Sequence, residues 1–230
     1  MVAIELGYSV SWSILAESMP QLLQAALSTL QMTGLAFLIA AALGLPLALL
    51  RTAPGLPGLL ALGYIEVMRG VPQLALLFLI YFGLVPLGIA LRAFDAAVIG
   101  LGLSGAAYLA EIYRAGVQAV DRGQLEAAQM IGMRRRAVLR HVVLPQAWPA
   151  VLPPMGNYLV ALLKDTSIAS IISAPELMLR ARDLSSEYFL PMDYYLLVGG
   201  MYLVMAWPLM QGVRMLERRA ARGRLQGEAR

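Results

Sequence analysis

The chain contains no cysteine, one lysine (Lys164) and one histidine (His141). The first absence excludes disulfides and thiolate metal sites, and a single histidine cannot build a metal site alone. Charge is scarce as well: 14% of the 230 residues are Asp, Glu, Lys or Arg, whereas a soluble domain carries roughly 25%. The start, Met1-Val2-Ala3-Ile4-Glu5, lacks the positive region and small-residue site of a cleaved secretory leader, so no cleavage is expected. No inverted repeat and no low-complexity tract is visible, which counts against the paired halves usual in secondary transporters.

What is present is apolar: 60% of the residues are hydrophobic. Charges are missing from Ser18 to Leu50, Gly70 to Leu91, Ala96 to Ala110, His141 to Leu163 and Tyr194 to Val213. A helix needs about 20 mostly apolar residues to cross the hydrocarbon core, so these stretches predict an all-α membrane protein with five transmembrane helices. The spans are expected at about 25–50, from about 59, 93–113, 151–172 and 194–213. Residues 1–24, interrupted by Pro20, read as a short interfacial segment on the outer face. Residues 25–213 then form the membrane domain, with a polar loop at 114–148, and 214–230 form a basic tail.

The net charge of +4 is not a nucleic-acid signature once it is located. The loop at 114–148 holds six arginines against Asp121 and Glu126, and the tail holds six against Glu217 and Glu228. The segment from Ser173 to Asp193 is net acidic, with two arginines and four acids. Basic short loops stay on the cytoplasmic side, which places loop and tail inside and the N-terminus outside.

Two places interrupt the apolar pattern with chemistry. In the second span, Glu66 and Arg69 are three residues apart and can pair on one helix face, and Gly70-Val71-Pro72 should bend or break the helix there. Their charges suit either a structural ion pair or a part in gating. In the fourth span, Lys164-Asp165-Thr166-Ser167 places two charges at membrane depth, where such groups normally face a cavity or one another. A zwitterionic amino acid needs an ammonium partner for its carboxylate, an acid for its amine, and hydroxyls; this quartet offers all three. The other reading is a self-satisfied cluster that shapes an unwound part of the helix. Thr29, Gln31 and Thr33 in the first span read as interfacial or interior polar residues, the small residues from Gly100 to Ala107 as helix packing, and Met130 and Met133 as apolar filling.

The polar loop is too elaborate for a connector. Gly123 precedes a helix expected over 124–131, Gly132 supplies a left-handed break, and a second helix over 133–143 is expected to stop at Leu144-Pro145. Ala127 and Ala128 offer a face of little bulk to a partner, Glu126 a carboxylate, and Arg134, Arg135, Arg136 and Arg140 surround the other side. These features also suit an amphipathic loop beside anionic lipid.

The spacing is more specific. Glu126-Ala127-Ala128, three residues, Gly132, nine residues, then Val142 and Leu144-Pro145 resembles the cytoplasmic motif of binding-protein-dependent ABC importer permeases, with valine where isoleucine is commoner. Tyr64-Ile65-Glu66, Arg69-Gly70-Val71-Pro72, Ile80-Tyr81-Phe82-Gly83, Ala110-Glu111-Ile112-Tyr113-Arg114, Leu144-Pro145-Gln146-Ala147 and Leu162-Leu163-Lys164-Asp165-Thr166-Ser167 extend the likeness to the polar amino-acid uptake permeases of that family, over roughly residues 20–220. The resemblance implies that Glu126, Ala127, Ala128, Gly132, Arg136, Leu144 and Pro145 belong to a coupling-helix pair seated on an ATPase subunit. Lys164, Asp165, Thr166, Ser167, Glu66 and Arg69, charged or polar at membrane depth, are the expected substrate-pathway residues; the likeness supports the importance of the Lys164 to Ser167 quartet and does not decide between contact and scaffold. The implied partners are two ABC ATPase subunits, a second permease chain, a substrate-binding protein, an amino-acid substrate and the lipid bilayer of a bacterial inner (plasma) membrane, and no nucleic acid. No cofactor is expected in this chain, and ATP and Mg would belong to the ATPases. A phosphate-binding Gly-x-x-x-x-Gly-Lys-Ser/Thr is missing, since Lys164 is followed by Asp165. The alternatives are an ion-coupled secondary carrier using Lys164, Asp165 and Glu66, and a non-transporting membrane scaffold.

Overall fold

The computed structural model describes residues 12–228, which are helical with no strand among them. The order is α1 (Trp12–Arg51), α2 (Leu56–Gly70), α3 (Gln73–Tyr81), a 3₁₀ turn (Val85–Leu87), α4 (Ala93–Gln118), α5 (Arg122–Met130) and α6 (Arg135–Val138). A π turn (Leu139–Val143), α7 (Leu144–Asp165), a 3₁₀ segment (Thr166–Ile172), α8 (Leu177–Tyr188) and α9 (Pro191–Glu228) complete it.

By length and apolarity three helices can cross a membrane: α1, α4 and the Pro191–Arg218 part of α9. A fourth is possible if α2 and the segment Gln73–Leu87, bent by 105°, act as one broken span. The bend falls at Gly70-Val71-Pro72, as the sequence predicts, because Pro72 has no N–H for the helix to use. α7 has 22 residues, enough to span about 33 Å, but it lies outside that set because Pro149, Pro153, Pro154, Gln146 and Asn157 lower its apolarity.

α1 differs from its expected bounds. Residues 12–24 do not form a separate segment but are the first turns of one 40-residue helix that runs through Pro20. Residues 1–11 of the expected outer segment lie outside the described residues. The helix stays in line because Leu15, Leu22 and Ala26 are buried against Leu177, Ala181 and Leu184 of α8 and Tyr194 and Val198 of α9. The Ser18 hydroxyl lies 2.7 Å from the buried Tyr194 hydroxyl. Tertiary burial here outweighs the local cost of proline.

The middle of the bundle is built on close approach of α1 and α4. A Cβ on Gly44 would stand 3.0 Å from the Leu109 Cβ and 3.1 Å from the Ala106 carbonyl oxygen, so the two backbones touch where a side chain would hold them apart. Met32, Ala36, Leu77, Ala97, Leu101 and Leu162 fill the core beside this seam. Thr29 and Thr33 are buried inside the bundle, and Thr33 donates to the Thr29 carbonyl.

Candidate functional site

The loop between α4 and α7 is a small folded unit. Asp121 caps α5 by accepting from the Gly123 N–H at 2.7 Å. α5 ends in a turn in which the Met133 N–H reaches the Ala128 carbonyl and the Gly132 N–H reaches that of Gln129, with Gly132 at φ +78°. That is the left-handed stop expected there. Val120, Ala128, Val138, Val143 and Ala147 form a private core under the turn, with Leu125 and Met133 packed on it.

Two expectations for this unit are corrected. Leu144-Pro145 does not stop the second helix: α6 passes through the π turn, where the Leu144 N–H bonds the Leu139 carbonyl, straight into α7. The wider turn absorbs the position at which Pro145 offers no donor. Ala128 does not face outward either. It is buried in the loop core, while Glu126, Ala127 and Arg136 are exposed, as are Leu144 and Pro145. The apolar groups that do project are Met130, 88% exposed, and Ile131, 78% exposed, at the tip beside Gly132. Met130 is thus not apolar filling, and its position at the last turn of α5, just before a glycine stop, is the sequence signal for that exposure.

On α2, Glu66 and Arg69 are both exposed and form no ion pair with each other; among the described residues the ion pairs are Arg92 with Asp95 and Arg114 with Glu111. The Arg69 guanidinium instead lies 5.8 Å from the centre of the Tyr108 ring on α4. Tyr108 stacks on Tyr158 of α7 at 5.7 Å and 19°. Tyr158 is within electrostatic reach of Asp165. A cation thus lies beside an aromatic pair contributed by two helices, with the Asp165 charge within electrostatic reach of the second ring. Beside them a cavity of about 470 Å³ is lined by Arg69, Tyr108, Glu111, Arg114, Ala150 and Pro154, among others. Arg114 holds Glu111 at 2.6 Å, and the charges of Arg69 and Arg51 also reach Glu111.

The Lys164 to Ser167 quartet is divided by the fold. Lys164 and Asp165 end α7 and are exposed on the surface of the single chain. Thr166 is fully buried, and its hydroxyl donates to the Leu163 carbonyl at 2.7 Å. The Ser167 hydroxyl donates to the Lys164 carbonyl, also at 2.7 Å. The hydroxyl protons thus serve the backbone where α7 tightens to 3₁₀ geometry, and the two charges are the groups left to meet something else. Tyr108 and Tyr158 were not foreseen, because nothing in the sequence pairs residues fifty positions apart.

Comparison with known proteins decides the class of the molecule. Residues 40–222 match the family described as binding-protein-dependent transport system inner membrane component. The chain belongs to that family. A probable amino-acid ABC transporter permease protein of Sinorhizobium fredii is 37% identical over 205 residues, covering 87% of this chain and 85% of the relative. A probable amino-acid permease protein of Bacillus subtilis is 40% identical over 202 residues, covering 86% of this chain and 90% of the relative. A solved amino-acid ABC transporter, crystallised with histidines, superposes with a TM-score of 0.88 at 37% identity, over 92% of this chain and all of that one. As a member of the family the chain is a membrane-embedded permease subunit of an ABC importer, which displaces the secondary-carrier reading. Its relatives are permease proteins, not ATPases.

Proposed function

We propose that this permease carries an amino acid across a bacterial inner membrane, driven by two ATPase subunits that bind ATP and Mg, and fed by an external binding protein. Five spans are assigned to α1, the bent α2 and α3 pair, α4, α7 with its 3₁₀ extension, and α9, with the N-terminus outside and the basic tail in the cytoplasm. α7 is the polar member, and its prolines, charged end and modest apolarity suit a helix that lines a path between this chain and a second permease chain.

The observation that carries this reading is the build of the loop. Met130 and Ile131 project from a rigid turn whose core includes Val120, just past the end of α4, and Ala147 of α7. A push on that tip moves two spans together, since α6 runs into α7 without a break. Closure of the ATPases, with the tip held in a groove, becomes a rigid-body tilt that changes which side of the membrane the path faces. The chain supplies the lever and the path, and no step of ATP hydrolysis.

The path offers recognition of a zwitterion. Arg69 can take the carboxylate, Asp165 the ammonium, and the Tyr108 and Tyr158 rings an apolar or cationic side chain. The test is uptake into proteoliposomes holding the permease with its ATPases and binding protein. Uptake should require enclosed ATP and persist with a protonophore and a sodium ionophore; uptake without ATPases that collapses with an ionophore would return the ion-coupled carrier.

A further inference from the structure

The glycines of α4 do not all serve the same purpose. A Cβ on Gly100 would meet Leu77 and Ile80 of α3, one on Gly102 would meet Ile39 and the Ala36 carbonyl of α1, and one on Gly116 would meet Val151 and the Ala147 carbonyl of α7. Those are contacts of ordinary helix packing, between hydrocarbon and backbone. Gly105 differs. Its Cβ would stand 2.5 Å from the hydroxyl oxygen of Tyr158 and 3.2 Å from the Tyr158 Cζ, and 2.8 Å from the Cβ of Ala40 on α1. The phenol end of Tyr158 therefore lies in a notch whose floor is the bare Cα of Gly105 and whose wall is Ala40, a residue with no exposed surface.

Non-bonded atoms pack best at about 3.5–4.0 Å, so the notch holds either the phenol or a side chain at position 105, not both. The ring seated there is the one that stacks on Tyr108, and the Arg69 guanidinium lies over the Tyr108 ring. Along α7, Tyr158 and Asp165 are seven residues apart, which returns a helix to nearly the same direction after two turns. The depth of one notch on α4 thus sets where the ring stands relative to Arg69 on one side and Asp165 on the other.

We propose that Gly105 is a positioning residue for transport: by leaving room for the Tyr158 phenol it holds that ring against Tyr108, in register with Arg69 and Asp165. The proposal rests on the assignment of the Tyr108 and Tyr158 rings to the substrate path. A methyl group at position 105 drives the hydroxyl out of the notch, away from α1 and α4, and the stack on Tyr108 is lost. The same methyl group also crowds Ala40, and a defect arising there is plain helix packing. The two causes separate by relieving one contact at a time.

The experiment is ATP-driven uptake at low substrate concentration, per assembled complex, in proteoliposomes bearing the complete transporter. The probe is whichever of the twenty common L-amino acids, radiolabelled, the unaltered transporter takes up fastest. Ala40→Gly is the reference background, because it opens the seam between α1 and α4 to a methyl group at position 105. Adding Gly105→Ala to it should lower uptake at least about fivefold. Adding Tyr158→Phe to that pair removes the oxygen in the way, and should recover at least about half of the uptake shown by Ala40→Gly with Tyr158→Phe. Unchanged uptake after Gly105→Ala in this background overturns the proposal, and so does a loss that Tyr158→Phe fails to relieve. Failure to assemble with the seam opened makes Gly105 a packing residue and overturns it as well. Tyr158→Ala tells the two readings apart: normal uptake in that variant removes the ring from the path, whereas reduced uptake there, beside normal uptake in the Gly105→Ala pair, overturns the positioning role alone. If the unaltered transporter shows no ATP-driven uptake, the importer reading itself fails.

Discussion

Gly132→Asp is expected to lower ATP-driven uptake by at least about tenfold while leaving the chain inserted in the membrane. Gly132 sits at φ +78°, where an L-residue costs roughly 1–2 kcal/mol. Nothing lies within 4 Å of the Cβ position, so the substitution meets no clash and the private core under the turn survives. The strain is relieved by moving the tip, and the tip carries Met130 and Ile131. A new carboxylate then stands beside the two apolar groups that the proposed coupling buries against the ATPase, and an unpaired charge in such an interface costs several kcal/mol. An energy of 1.4 kcal/mol is already a factor of ten in an equilibrium. The measurements are uptake into vesicles and immunodetection of the inserted chain. Unchanged uptake, or loss of the chain from the membrane, would separate the turn from coupling.

Asp165→Ala is the second large effect, expected as a rise in KM of about tenfold or more with normal assembly. Asp165 is exposed at the end of α7 and within electrostatic reach of Tyr158, which stacks on the ring that Arg69 covers. In the proposed path it is the carboxylate that meets the substrate ammonium group, and losing a charge-assisted hydrogen bond costs about 1.5–3 kcal/mol. Ser167→Ala should matter much less, because that hydroxyl already donates to the Lys164 carbonyl. Its removal leaves a carbonyl at an exposed position, worth less than about threefold in KM. Equal kinetic defects in the two variants would mean that the quartet shapes the helix and does not meet substrate.

The features readable in the sequence are those governed by local physics. Long charge-free stretches mark most of the membrane helices, Pro72 marks the 105° bend, and Gly132 marks the left-handed stop. Each follows from backbone geometry or from the solvation of one segment. What escaped depends on neighbours distant in the chain. Pro20 does not interrupt α1, because Leu15 and Leu22 are buried against α8 and α9 on both sides of it. Pro145 does not end a helix, because a π turn accommodates the missing donor. Glu66 and Arg69 share a helix face, yet Arg69 finds an aromatic ring on α4. Ala128, expected on an outward face, turns inward because the loop has a core of its own. Glu176 is one acid of an acidic segment in the sequence, and only the fold sets the Tyr202 hydroxyl of α9 against its carboxylate.

The central claim is that the tip of the α5 turn is seated in an ATPase subunit, and the absence of cysteine makes it directly measurable. Ile131→Cys gives the chain a unique thiol at the exposed tip beside Gly132, to which a benzophenone maleimide can be attached before assembly with cysteine-free ATPase subunits. Illumination of the complete transporter should give one dominant adduct, between this chain and the ATPase, whose yield changes when ATP and Mg are added. Adducts confined to lipid or to the second permease chain, with no ATPase product in any nucleotide state, would contradict the account.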